Sequence, residues 1–152
     1  MIKDTEKAQV AFVCPSPFGY AVFMSCPSKT FVIYMDRTGG SNIEKAMAGE
    51  KGVRPLSHEL MLSLLDSMDC SVEYVLISDT NEGTFYSTIR AGVENELGTK
   101  IIEVDARPSD SVSLALRANA PIYVAKNVLE KVSDTSEILA QLKGEHACRI
   151  FR

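Results

Sequence analysis

The sequence predicts a single α+β domain whose sheet is largely antiparallel or mixed, with helices inserted between clusters of strands. Three observations lead there. Short β-type runs occur in groups joined by turn residues, not in strict alternation with helices. Two runs carry apolar residues at helical spacing and break up those groups. A length of 152 residues suits one normally buried core and is too short for two.

Gln9 to Val13, Tyr20 to Met24 and Thr30 to Met35 read as three short strands of an opening meander, divided by Pro15-Ser16-Pro17 and Pro27-Ser28. A turn at Gly39-Gly40 then leads into a short helix over Ser41 to Ala48, and Gly49 to Gly52 forms a polar loop. After Arg54-Pro55 the residues Leu56, Leu60, Met61, Leu64, Leu65 and Met68 recur at helical spacing, which predicts a long helix with this stripe on the core. Ser71 to Ser78 and Thr84 to Ala91 flank a turn at Asp79 to Gly83, the clearest hairpin in the chain. A polar loop over Gly92 to Gly98 precedes a strand at Lys100 to Val104. A helix starts at Pro108, where a missing N–H costs nothing, and a strand follows at Pro121 to Ala125. Asn127 to Val132 and Ser136 to Leu142 read as helical, and residues 143–152 as a flexible tail. The two Arg-Pro pairs, each followed by an apolar helix and then a strand, suggest a weak pseudo-repeat.

The apolar and charged fractions are those of an ordinary globular protein, and no apolar run approaches the roughly 18 residues of a membrane span. Mixed charges at the start of the chain do not read as a signal peptide, so a cytoplasmic location without membrane contact is expected. Cys14, Cys26, Cys70 and Cys148 form no C-x-x-C pair; they read as reduced thiols, not as a zinc site or disulfide framework. A net charge of −4 argues against broad attraction to nucleic acid. A local basic rim from Arg54, Arg107, Arg117 and Lys126 remains open. No phosphate-binding Gly loop is present, and no organic cofactor is expected.

Chemistry-bearing residues concentrate in the stretch from Glu103 to Val112. Strand alternation puts Glu103 and Asp105 on one side, while Ser109 and Asp110 fall in the first helical turn near the positive end of its dipole. The second concentration is Arg54-Pro55-Leu56-Ser57-His58-Glu59-Leu60.

These two stretches, with Phe85-Tyr86, Ala115-Leu116-Arg117 and Ala120-Pro121-Ile122-Tyr123-Val124, resemble the bifunctional nuclease domain family, over approximately Arg54 to Leu129. Upstream the chain departs from the family's pattern: Phe31 to Gly40 keeps an apolar strand but lacks the short P-I-W-I-G-like segment that usually ends it. The resemblance implies an α+β fold, a homo-oligomer such as a dimer, and activity on both DNA and RNA.

Phosphodiester hydrolysis requires an activated water, charge stabilisation and help for the leaving oxygen. Glu103, Asp105 and Asp110 are the candidate ligands for Mg²⁺ or Mn²⁺, hard cations that favour oxygen. His58 is the candidate acid or base beside Asp105, Asp110 and Arg107. Arg54 and Arg107 are candidate phosphate clamps, with Ser109 and Arg117 as further substrate contacts. A structural reading stands beside this one: the arginines pair with Glu103 and Asp105 to pin the fold, and Ser109 and Asp110 are only helix-start residues. The alternative function is then a non-catalytic binding or regulatory module whose charged cleft takes an anionic ligand or a protein partner. The acidic balance and the lack of tryptophan for base stacking suit that alternative.

Overall fold

Two antiparallel meanders, joined by a short strand from late in the chain, make one seven-stranded sheet in the computed structural model, which describes residues 2–150. The elements run β1 (Thr5–Ser16), β2 (Gly19–Ser25), β3 (Thr30–Met35), α1 (Arg37–Met47), α2 (Ser57–Ser67), β4 (Cys70–Asn81), β5 (Thr84–Asn95), β6 (Gly98–Ala106), α3 (Pro108–Ala118), β7 (Ile122–Ala125), α4 (Lys126–Lys131) and α5 (Ser136–Ile150). Their order across the sheet is β3-β2-β1-β7-β4-β5-β6. β7 sits at the centre, antiparallel to β1 and parallel to β4, so the domain is α+β with a mixed sheet, as its strand grouping predicts.

Burial explains which side chains face where. Val22, Met24, Phe31, Ile33, Val75, Ile77, Ile122 and Val124 point to one face and meet Ile43 of α1, Val112 and Ala115 of α3, and Val128 and Leu129 of α4. On the opposite face of the first meander, Ala21 and Phe23 pack with Leu139 of α5. The first half of the sheet is therefore covered on both sides. Cys26 and Cys70 are buried, and burial pushes the Cys26 thiol up to about 11, which suits a small apolar packing role. The side chain of Cys148 lies outside the described residues. Among the described residues, no helix is long and apolar enough to cross a membrane.

Several boundaries move. Gly39 and Gly40 are not a turn before the first helix but lie inside it, because Asp36 caps α1 by accepting a 2.6 Å hydrogen bond from the Gly39 N–H. A Cβ at Gly39 would lie 2.6 Å from the Ser109 Cβ, and one at Gly40 would lie 2.1 Å from the Tyr20 Cβ. The glycines are there for close approach. The loop expected over Gly92 to Gly98 is also mostly strand: β5 continues to Asn95 and β6 resumes at Gly98. Likewise, the expected tail is helical, α5 continuing to Ile150, while residues 151–152 lie outside the described part.

The largest departure concerns α2. Leu60, Met61, Leu64 and Met68, read as a core stripe, face solvent at 51%, 43%, 54% and 61% exposure, while buried His58 and partly buried Leu62 and Leu65 face the body. Apolar residues occupy both sides of this helix, so spacing alone could not tell which side meets the core. The two Arg-Pro pairs also differ: Pro108 is the first residue of α3, whereas Pro55 precedes the residue that flanks α2.

Candidate functional site

The site is organised where β6 ends and α3 begins. Register fixes the geometry, because Ala106 lies opposite Ser87, and the Ser87 hydroxyl donates to the Ala106 carbonyl at 2.6 Å while lying 2.8 Å from the Ser111 hydroxyl of α3. Residues of β6 that share the side of Ala106 therefore face α3. Glu103 and Asp105 have the other parity and project from the opposite face.

Asp110, in the first turn of α3, joins two long-range elements. One carboxylate oxygen lies 3.1 Å from His58 Nε2 of α2, and the other accepts a 2.9 Å hydrogen bond from Arg107 Nε. Burial alone would push the Asp110 carboxyl up, but the hydrogen bonds and charges of Arg107 and His58 outweigh it and hold the group below the usual carboxylate range. The Arg107 guanidinium is pushed the other way, chiefly by its hydrogen bond to Asp110. Its Nη1 also lies 3.7 Å from the α1 cap, Asp36. A line of groups results: Asp36, Arg107, Asp110 and His58, contributed by the starts of three helices.

Exposure divides their roles. His58 is only 4% exposed and sits behind Asp110, where its ring orients the carboxylate. The Arg107 and Asp36 side chains are 70% and 60% exposed, so the line presents an ion pair to solvent, with Arg107 as its cation. Beside it opens a cavity of about 300 Å³ lined by Tyr34, Asp36, Thr84, Phe85, Arg107 and Ser109. A second cavity of about 580 Å³ shares Tyr34 and Asp36 and ends at Phe18, on the tip of the β1–β2 hairpin. Phe18 and Tyr34 are 99% and 73% exposed, an unusual presentation for aromatic rings.

The other candidate residues lie apart from this line. Glu103 is 3.2 Å from Arg90, which also pairs with Glu73 and stacks over Tyr74 on the open face of the second meander. Asp105 is exposed on that same face. The three expected ligands Glu103, Asp105 and Asp110 are thus not brought together, and no cluster of three metal-ligating side chains occurs among the described residues. Nor does Asp110 itself fit a dication, because both its oxygens already meet nitrogen groups and Arg107 lies between it and Asp36. Ser109 is buried beneath Gly39. Arg54 is exposed in the loop before α2. Arg117 is a nearly buried staple: its Nη1 donates to the Glu50 carbonyl at 3.0 Å and lies 3.5 Å from Glu59, whose other oxygen accepts from the Leu56 N–H at 2.7 Å. Its Nε has no hydrogen-bond partner among the described residues, and it lines a separate cavity of about 660 Å³ with Lys51 and Asn119.

Asp36 is the site member that the sequence reading passes over. An aspartate three residues before a glycine, at the end of an apolar strand, is a helix-start signal, and that signal was there to be used.

The family model for the bifunctional nuclease domain matches residues 23–137, about three quarters of the chain. The chain belongs to the bifunctional nuclease domain family. That match begins in β2 and so takes in the segment where the short family motif is missing. An uncharacterized protein of Mycobacterium tuberculosis, in strains CDC 1551 / Oshkosh and ATCC 25618 / H37Rv, is 37% identical over 97 residues. The aligned part is 64% of this chain and 55% of each relative, so the chain spans about half the length of the curated relatives it matches.

Proposed function

We propose that this protein binds a phosphodiester of DNA or RNA at the mouth of α3 and cleaves it, with Arg107 as the group that meets the phosphate. The observation that carries this reading is the exposed Arg107 guanidinium, held from two sides by Asp36 and Asp110 at the opening of a cavity. A guanidinium matches two phosphate oxygens at once and stabilises charge that develops on them during displacement. When Arg107 turns to the phosphate, Asp110 loses its strongest hydrogen-bond donor and becomes a better proton acceptor for the attacking water; as the water oxygen bonds to phosphorus, the P–O bond to the departing sugar oxygen breaks and that oxygen takes its proton from solvent. His58 keeps the carboxylate aimed through the 3.1 Å contact. Phe18 and Tyr34, on the adjoining cavity, suit stacking against unpaired bases, so single strands are the preferred substrate in this reading. The Mg²⁺ or Mn²⁺ expected from the carboxylates of this stretch takes no part in this derivation, because Glu103 and Asp105 project from the face of β6 opposite to α3 and Asp110.

The alternative, a non-catalytic module that holds an anionic ligand at Arg107, is favoured by one specific observation: Asp110 and His58 already satisfy each other, as structural groups do. One experiment separates the two. Labelled single- and double-stranded DNA and RNA are incubated with the protein in Mg²⁺, Mn²⁺ or chelator, beside identically purified Arg107→Ala and Asp110→Asn variants. The nuclease reading expects both variants to lose activity, Arg107→Ala by about 10²–10³-fold. Equal cleavage by all three proteins overturns this site, and oligonucleotide binding without cleavage establishes the module.

A further inference from the structure

We infer, building on the reading of Arg107 and Asp110 as the working pair, that Arg117 is a positioning residue for their site. Through Glu59 it fixes the start of α2, and so the angle at which His58 meets Asp110.

Packing does little to locate α2. His58 is its one buried residue, its outer side faces solvent, and residues 47–55, which lead into it, are exposed throughout. Leu56, which flanks the helix, has no side-chain acceptor for the free N–H groups of the first turn. Polar contacts therefore decide where the helix lies. Two of them come from adjacent residues: His58 lies 3.1 Å from Asp110, and Glu59 lies 3.5 Å from Arg117. Asp110 and Arg117 both belong to α3, two turns and about 10 Å apart along its axis, so they look out from one face. A single contact would leave α2 free to pivot about it. The second, two turns away, stops the pivot.

The Arg117 side chain is only 9% exposed, and one nitrogen, Nη1, serves both Glu59 and the Glu50 carbonyl of the entering loop. Its Nε meets no partner among the described residues, an unmet demand that shows the guanidinium is placed by the contacts at Nη1. Glu59 passes the constraint on, because its other oxygen accepts from the Leu56 N–H, one residue before the helix that carries His58.

Arg117 does not act on Asp110 directly. The groups that face that carboxylate are His58 from α2 and Arg107 from α3, with Asp36 of α1 on the far side of Arg107. The charge of Arg117 is offset by Glu59 beside it, so its field at Asp110 is small. Its influence travels through α2.

Two variants of the full chain, Arg117→Met and Glu59→Ala, test this from opposite sides of the contact, so that if one fails to fold the other decides. The first readout is the His58 imidazole in NMR, which needs no nuclease activity and is simple to assign because the chain has two histidines. The parent should show a slowly exchanging His58 Nε2 proton, and each folded variant should lose it while the amide spectrum of the sheet is unchanged. The second readout is turnover on single-stranded oligonucleotide. Arg117→Met should lower kcat on the order of 10–100-fold with KM changed by less than about twofold, and should add less than about twofold in a His58→Ala background. A parent without the His58 proton signal, a folded variant that keeps it, or losses from Arg117→Met and His58→Ala that multiply in full, overturns the inference. A parent that cleaves nothing overturns the nuclease reading alone, and the His58 signal then decides the role of Arg117.

Discussion

Asp110 and its neighbours make a charge arrangement whose consequences can be read from the direction of one shift. The folded carboxyl is held below its unfolded value, so its contribution to stability is present above the ordinary aspartate range and disappears as pH falls through the folded value. Asp110→Asn should therefore destabilise the protein by about 1 kcal/mol near neutral pH, and the difference from the parent should shrink toward zero in acid. Chemical denaturation of both proteins at about pH 7 and pH 3 checks this. A difference that grows in acid would mean that the carboxylate is strained, not stabilised. His58→Ala should cost a similar amount, about 1–2 kcal/mol, since it removes a buried ring and leaves Asp110 with one partner. At this level the sequence was half legible. Strand parity correctly put Glu103 and Asp105 on one side, but the side could be known only from Ser87 and Ser111, residues 24 positions apart in the chain whose contact nothing local announces. The contact between His58 and Asp110, 52 positions apart, is equally a product of the tertiary fold.

Helices and strands were legible wherever local chemistry has one answer. Glu82 and Gly83 both adopt positive φ in the tight loop between β4 and β5, and that hairpin was plain in the sequence. The meander and the start of α3 at Pro108 were plain for similar reasons. α1 was misplaced because glycine is the poorest ordinary helix former, and only the meeting with α3 explains why Gly39 is retained. Two glycines within helices thus predict opposite outcomes for the same substitution. Gly39→Ala should destabilise by about 1–3 kcal/mol, because the added methyl group strikes Ser109, even though alanine favours helix. Gly144→Ala, in α5 with nothing within 4 Å of the new group, should stabilise by up to about 1 kcal/mol. Thermal melts of the two variants, run side by side, measure both signs. The proposed pseudo-repeat survives only in outline: α2 leads to β4 and α3 leads to β7, and these strands are parallel neighbours, but the helices bury different faces.

The molecule as a whole is unevenly supported. β2 is paired on both sides and covered by helices on both faces, whereas β6 is an edge strand whose residues are mostly exposed. Native-state hydrogen exchange should find β2 amides protected to near the global unfolding limit and the unpaired edge of β6 opening far earlier. Uniform protection across the sheet would contradict this. Global arrangement was the least legible level, because nothing local announces that the strand after α3 enters the sheet between the first and fourth strands. That placement has a consequence for how the chain comes to be folded. β7 is only four residues long, yet it is the seam between the two meanders, and it emerges from the ribosome after all six strands it unites. Until Ala125 has been made, two three-stranded meanders formed in the newborn chain would have β1 and β4 as open edges, each a template for pairing with the wrong neighbour. Closure must also span long loops, so the joining step, not the hairpins, should set the pace of folding. Synthesis paused before β7 would leave the chain at its most aggregation-prone, with both halves formed and the seam between them still missing.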